Sequence, residues 1–411
     1  MKFEDYHIHP SIKKSLAELG FKRPTDIQFK AIPSIMNGED VMAIAQTGTG
    51  KTAAFAIPII NHLLNHYSSH EGVRALVLAP TRELAVQIHG VFTSIAQYTD
   101  LQIIALVGGL DQETQISALQ AGADIVIATP GRMFDLIYQG HVKITKTEIL
   151  VLDESDQMLA LGFMKDIQDV KKFLPKIHQT LFFSATINEE IKDLAYTLVR
   201  NPIRIQISPK NPVSKNVNHS VGMIAMDDKR FFLERIIKQN PESKIVVFVR
   251  TKVRAERVFK AMERVAIETV TIHGDKEQDD RFEAMKRFAD GEVKVLIATD
   301  ITARGIDIKK IEYVINYDIP DVAENYVHRV GRTGRGVEKG FAISFCSEEE
   351  IPLLKAIEEF VGGPITVLEI AKKDVQDTID FSTEVKPDLK SLMKEIADYE
   401  AFKKSKKKKK K

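Results

Sequence analysis

The stretch Val41-Met42-Ala43-Ile44-Ala45-Gln46-Thr47-Gly48-Thr49-Gly50-Lys51-Thr52 starts apolar and ends in Gly-Lys-Thr. Val41–Ile44 is short and apolar, as suits a strand buried on both faces. Ala53–Ile60 continues as an apolar helix. A Gly-rich turn between such a strand and such a helix is a phosphate loop. The small residues Thr47, Gly48, Thr49 and Gly50 let backbone N–H groups converge on phosphate oxygens, and the helix N-terminus adds a favourable dipole. Lys51 is placed to neutralise the β- and γ-phosphates, and the Thr52 hydroxyl to ligate Mg2+. The first loop position is Ala45 where the strict pattern has glycine, a departure of one methyl group.

A nucleotide site also needs carboxylates at a strand end. Ile149-Leu150-Val151-Leu152-Asp153-Glu154-Ser155-Asp156 supplies them. Four apolar residues carry the acids to the carboxyl edge of a sheet, where α/β folds bind ligands. Asp153 is expected to hold Mg2+, partly through water, and Glu154 to orient and deprotonate an attacking water.

Further from the loop, short apolar runs alternate with helix-like segments. They include Arg74–Leu78, Asp124–Ala128 and Thr180–Phe183, then Lys244–Val249, Val270–Ile272, Val293–Ala298, Tyr313–Tyr317 and Phe341–Phe345. Such alternation implies βαβ units and parallel sheets. The two halves also echo each other. VIATPGR (Val126–Arg132) matches VLIATDITARG (Val295–Gly305), and VLAPTRELA (Val77–Ala85) matches VFVRTKVRA (Val247–Ala255). The aligned threonines, Thr129 with Thr299 and Thr81 with Thr251, are both 170 residues apart (299 − 129 and 251 − 81). A shared offset points to duplicated domains that present equivalent loops to one ligand. The fold expected is α/β, with two tandem domains, each a mostly parallel sheet flanked by helices. The first spans 1–207, a polar, proline-containing linker 208–219, the second domain 220–370 and a C-terminal extension 371–411.

The 411 residues are 44% hydrophobic and 28% charged, ordinary for a globular protein. The single cysteine, Cys346, cannot form an intramolecular disulfide, so a reducing compartment is expected. No apolar signal region or membrane-length run stands out, and a cytoplasmic location is expected. The net charge of +1 hides an asymmetry, because eight of the last nine residues, Lys403–Lys411, are lysines. The body is mildly acidic, so contacts to a polyanion must be local. The polylysine end is expected to be disordered and to add salt-sensitive affinity for a polyanion.

Taken in order, these motifs resemble the DEAD-box family of RNA helicases from about Phe3 to Gly340. The resemblance implies that the two domains are RecA-like and share one ATP. Gly20-Phe21 and Pro24-Thr25-Asp26-Ile27-Gln28 look like the family's adenine-sensing element, with Gln28 reading the adenine and the aromatics Phe3 and Phe21 beside it. Pro80, Thr81, Arg82, Gly108, Gly109, Thr129, Gly131 and Arg132 look like RNA-backbone contacts of the first domain. In the second domain Arg250, Thr299 and Arg281, the last within a Gln278-x-x-Arg281 element, take the corresponding place. Ser184-Ala185-Thr186 resembles the segment that links ATP state to RNA binding, with Asp156 and His328 as further coupling residues. Asp307 matches a ribose contact. In Tyr326–Arg335 the resemblance makes Arg332 and Arg335 arginine fingers on the γ-phosphate.

Two residues depart from the family pattern: Ser155 and Thr302 stand where alanine is usual. The activity implied is RNA-stimulated ATP hydrolysis coupled to local duplex opening or remodelling of RNA–protein complexes, by a monomer requiring Mg2+. An ATP-gated RNA clamp would use the same residues. A DNA-translocating helicase and a ring-forming ATPase are further alternatives. Ribosomal or RNA-decay proteins are conceivable partners, and a membrane is not.

Overall fold

The computed structural model describes residues 2–45, 48–66, 72–186, 189–207, 213–300, 310–334, 339–370 and 372–382. Thr47, Thr302, Asp307, Arg335, the linker from residue 208 to 212, and the lysine tail lie outside the described residues.

Two seven-stranded sheets organise the chain, and every strand pairing in both is parallel. The first comprises β1 (Val41–Ala45), β2 (Ala75–Leu78), β3 (Ile103–Leu106), β4 (Ile125–Ala128), β5 (Ile149–Leu152), β6 (Gln179–Ser184) and β7 (Ile203–Ile207). Its spatial order is β3-β4-β2-β5-β6-β1-β7. The second comprises β8 (Val217–Met223), β9 (Ile245–Val249), β10 (Val270–Ile272), β11 (Val295–Thr299), β12 (Tyr313–Asn316), β13 (Gly340–Cys346) and β14 (Thr366–Leu368), in the order β10-β11-β9-β12-β13-β8-β14. Position for position, the second order repeats the first. The duplication read from the 170-residue echo is therefore a duplication of topology.

Alternation along the strands explains the two-sided burial. Val41, Ala43 and Ala45 face one apolar cluster, and Met42 and Ile44 face the other. In the second sheet Val246 and Phe248 face one side, and Ile245, Val247 and Val249 the other. Burying each such side chain contributes about 1.5–3 kcal/mol. With both faces covered by helices, ligands are left the carboxyl edges of the strands.

Val217–Met223 is a strand of the second sheet although it begins within the stretch expected to be linker. At the other end, the helix Lys372–Phe381 packs on the second domain. Arg235 Nη1 donates to Thr378 Oγ1 at 2.5 Å, and the Ser382 hydroxyl donates to Glu234. No helix among the described residues is long and apolar enough to cross a membrane.

Candidate nucleotide and nucleic-acid site

At the end of β1, Gly50 adopts φ 88°, ψ 27°, a left-handed conformation that favours glycine. The helix Lys51–Asn65 starts immediately after it. A Cβ on Gly50 would lie 2.5 Å from Gln28 Nε2. Gln28 is held in the first turn of the helix Asp26–Met36, where its Oε1 accepts from the Thr25 amide at 2.9 Å. Its Nε2 donates to the Gly50 carbonyl at 3.1 Å. The glutamine is thus bonded to the phosphate loop, and each end of its amide keeps capacity for one more hydrogen bond. Phe3 is buried against Tyr6 and Phe21, with ring centroids 5.9 and 5.8 Å away. It belongs to the first core, which leaves Phe21, only partly buried, as the more accessible ring.

Lys51 is only 6% exposed, and its Nζ has no hydrogen-bond partner among the described residues. An unpaired buried ammonium is costly unless an anion meets it. Its charge acts on Asp153 and Glu154, which burial pushes above the usual carboxylate range while Lys51 pulls them back. The backbone amide of Asp153 donates to the Leu78 carbonyl at 3.0 Å, seating the turn at the end of β2. Glu154 has φ 49°, ψ 51°, a left-handed backbone that costs a non-glycine residue about 1–3 kcal/mol. The donor set of a hydroxyl at Thr52 and a carboxylate at Asp153, with a buried cation beside it, fits a phosphate-bound Mg2+.

The two residues after Glu154 tie this turn to β6. Ser155 is fully buried, and its Oγ lies 3.0 Å from the Phe183 carbonyl and 3.3 Å from that of Leu152. Asp156 Oδ2 accepts from the Ala185 and Thr186 amides at 3.2 and 3.0 Å and from Thr186 Oγ1 at 3.0 Å. Ser184 Oγ donates to the Thr186 carbonyl at 2.7 Å. Of the residues expected to couple, Asp156, Ser184 and Thr186 thus lie together, while His328 stands apart on the helix Ala323–Val330 of the second domain.

From the second domain comes Arg332, buried, with Nε donating to the His328 carbonyl at 3.1 Å. Its positive charge acts on Glu154 across the cleft, lowering that carboxyl's proton affinity against the effect of burial. The helix Ala323–Val330 ends at Gly331, so Arg329 and Arg332 do not share a face. Arg329 turns inward: its Nε and Nη2 meet Asp300 at 2.5 and 2.7 Å, and its Nη1 donates to the Asp318 carbonyl at 2.7 Å.

On the expected RNA side, Thr81 and Thr251 cap equivalent helices, Arg82–Ile95 and Lys252–Arg264. Thr81 accepts from the Leu84 amide at 3.3 Å and Thr251 from the Arg254 amide at 3.1 Å. Pro80 is buried, and Thr129 precedes the helix Pro130–Tyr138, which holds an exposed Gly131. Arg132 Nη2 reaches the Leu110 carbonyl at 3.4 Å. Thr299 ends β11, nearly buried. Gly108 and Gly109 lie against the Arg82 guanidinium, and a Cβ on Gly109 would be 2.3 Å from Arg82 Nη1.

Three arginines expected on RNA are instead engaged with protein. Arg82 Nη1 donates across the cleft to Gln278 Oε1 at 2.8 Å, and Gln278 Nε2 donates to Glu83 Oε1 at 3.0 Å. Arg281 Nη2 pairs with the same Glu83 oxygen at 2.5 Å, and only 13% of its side chain is exposed. These residues latch the domains together, which leaves Arg281 little surface for a phosphate. Glu83 was not singled out from the sequence, and its partners, nearly two hundred positions away, left no local signal. Arg250 is likewise held inside its domain, with Nη2 donating to Glu350 Oε1 at 2.8 Å and to the Ile319 carbonyl at 3.0 Å. Glu350 is a buried hub. It pairs with Lys229 Nζ at 2.5 Å and accepts from the Ile319 amide at 3.1 Å and the Ser347 amide at 3.0 Å.

Residues 25–194 match the family model described as DEAD/DEAH box helicase, and residues 228–337 match the helicase conserved C-terminal domain. The ATP-dependent RNA helicase RhlB of Shewanella frigidimarina is 38% identical over 384 residues, covering 92% of this chain and 88% of that protein. This chain belongs to the DEAD-box ATP-dependent RNA helicase family. The DEAD-box helicase RhpA of Helicobacter pylori is also 38% identical, over 368 residues that cover 90% of this chain and 74% of the relative. As a DEAD-box helicase, the chain is an RNA-stimulated ATPase with tandem RecA-like domains. Among solved structures, S. cerevisiae Dbp5 bound to RNA and ADP BeF3 superposes with a TM-score of 0.82 at 29% identity, covering 92% of this chain and 99% of that one. A Dbp5 variant bound to Nup159, Gle1, IP6 and ADP, covering 91% of this chain and 100% of its own, gives 0.61.

Proposed function

We propose that this enzyme couples ATP hydrolysis to local opening of RNA duplexes, and that closure of the cleft assembles both sites at once. The observation that carries the reading is the latch between the domains, in which Gln278 and Arg281 of the second meet Arg82 and Glu83 of the first. Gln28 reads the adenine through its remaining donor and acceptor. Lys51 holds the β- and γ-phosphates, and Asp307 the ribose. Glu154 orients the attacking water and takes its proton, with the backbone turn fixing the carboxylate. Arg332 and Arg335 stabilise charge on the γ-phosphate, a contribution of about 10³–10⁵ in rate in related phosphoryl transfer. Mg2+, held by Thr52 and by Asp153 partly through water, would offset charge on the phosphates.

RNA is taken by its backbone, through Thr81, Arg132, Thr129, the amides around Gly108 and Gly131, and Thr299. Hydroxyls, amides and one arginine suit phosphates and read no sequence. Asp156 joins the acidic turn to Ser184–Thr186, so nucleotide and RNA bias one conformation. A closed cleft that bends one strand excludes the second, and 2′-hydroxyls give RNA preference over DNA.

Purified protein tests this directly. ATP hydrolysis should rise with RNA and less with DNA, and labelled strands should leave short duplexes. Glu154→Gln should lower turnover by about 10²–10⁴. Equal hydrolysis with and without RNA would remove the coupling. Stimulated hydrolysis without strand release would instead make the protein an ATP-gated clamp.

A further inference from the structure

We infer that Ser155 is a positioning residue that transmits the nucleotide state from the acidic turn to Ser184-Ala185-Thr186. The inference rests on the proposal that Glu154 acts on water and that the Ser184–Thr186 segment couples to RNA.

Ser155 is fully buried at the start of the helix Ser155–Ala160. Its Oγ lies 3.0 Å from the carbonyl of Phe183. The last β5–β6 pair is Leu152 with Phe182, so Phe183 stands one residue beyond the ladder. The hydroxyl thus joins two strands where their backbone pairing stops. On one side of this bond are Asp153 and Glu154, and on the other Ser184, Ala185 and Thr186. A second connection, from Asp156 to Ala185 and Thr186, runs alongside it. One attachment alone would let the segment pivot about the Asp156 carboxylate. Two attachments at successive residues fix its orientation relative to Glu154. Fixing Ser155 also anchors the residue after the left-handed turn, so the Glu154 backbone is held from both ends. Alanine, usual in the family here, keeps the Cβ and loses the donor. The carbonyl of Phe183 then has one fewer partner in a buried setting.

The test uses the full chain as wild type, Ser155→Ala and Thr186→Ala. ATP hydrolysis is measured across ATP concentrations and across single-stranded RNA concentrations, with thermal melts beside it. Ser155→Ala should raise the RNA concentration for half-maximal stimulation about 5-fold, the factor for one hydrogen bond of ordinary net strength. The KM for ATP should not move. A lower melting temperature with an unchanged RNA requirement overturns the inference, since the hydroxyl would then serve stability alone. An equal rise in the KM for ATP overturns it too, by placing the damage in the nucleotide site. If Thr186→Ala raises the RNA requirement and Ser155→Ala does not, only the role of Ser155 fails. If neither moves it, the assignment of Ser184–Thr186 to coupling fails first.

Discussion

At Gly50 a side chain is excluded both by the left-handed backbone and by Gln28 Nε2, 2.5 Å from where a Cβ would stand. Gly50→Ala should therefore weaken ATP binding by tenfold or more (about 1.4 kcal/mol or above) in a nucleotide titration, and the strain should lower the melting temperature as well. Glu350 supports a different prediction. Burial pushes its carboxyl up, but the Lys229 hydrogen bond and charge, with the Ser347 and Ile319 amides, outweigh this and hold it below the usual glutamate range. A lowered folded-state pKa means stability that is fully present above the unfolded-state value and lost as pH falls through the folded one. Melts of the wild type should decline on acidification in that window, and Glu350→Gln should flatten the decline. The variant should also be about 3–5 kcal/mol less stable near neutrality, because the buried Lys229 loses the carboxylate paired with it. Much of the site was legible at this scale because each motif is contiguous: Lys51, Asp153 and Glu154 sit where their strands predicted. The contact of Asp156 with Thr186 and the commitment of Arg281 to Glu83 were not, since nothing local records a partner brought in by folding.

Strands reveal themselves when buried on both faces, and the inner strands β2, β4, β5, β9 and β11 read as continuous apolar runs. The edge strands β7 and β14 are partly exposed, and their composition carries less of that signal. β8 is the instructive case: Asn218, His219, Ser220 and Gly222 resemble a linker, yet pairing with β13 and β14 makes the segment a strand. The helix Lys372–Phe381 behaves as part of the second domain. Its Thr378 is buried, and Ile370 and Val375 pack on the core beside β9 and β11. Truncation after residue 370 should lower the melting temperature by roughly 2–8 °C. An unchanged melt would show the helix to be dispensable for folding.

At the scale of the molecule, the latch predicts charge-swap behaviour. Glu83→Arg and Arg281→Glu should each raise the RNA needed for half-maximal ATPase by about tenfold or more, and the double variant should recover part of the loss. Independent effects would mean that the pair does not act across the cleft.

The matched sheets also place two lysines alike. Lys51 begins the helix after β1, Lys229 begins the helix after β8, and β1 and β8 hold the same rank in their sheets. Lys51 Nζ makes no hydrogen bond among the described residues, whereas Lys229 Nζ is met by the Glu350 carboxylate. The second domain carries an internal counter-ion where, on the proposed function, the first offers its cation to a phosphate. Stoichiometry follows: a duplicated fold should take up a single equivalent of ATP analogue per chain, and calorimetric titration counts it.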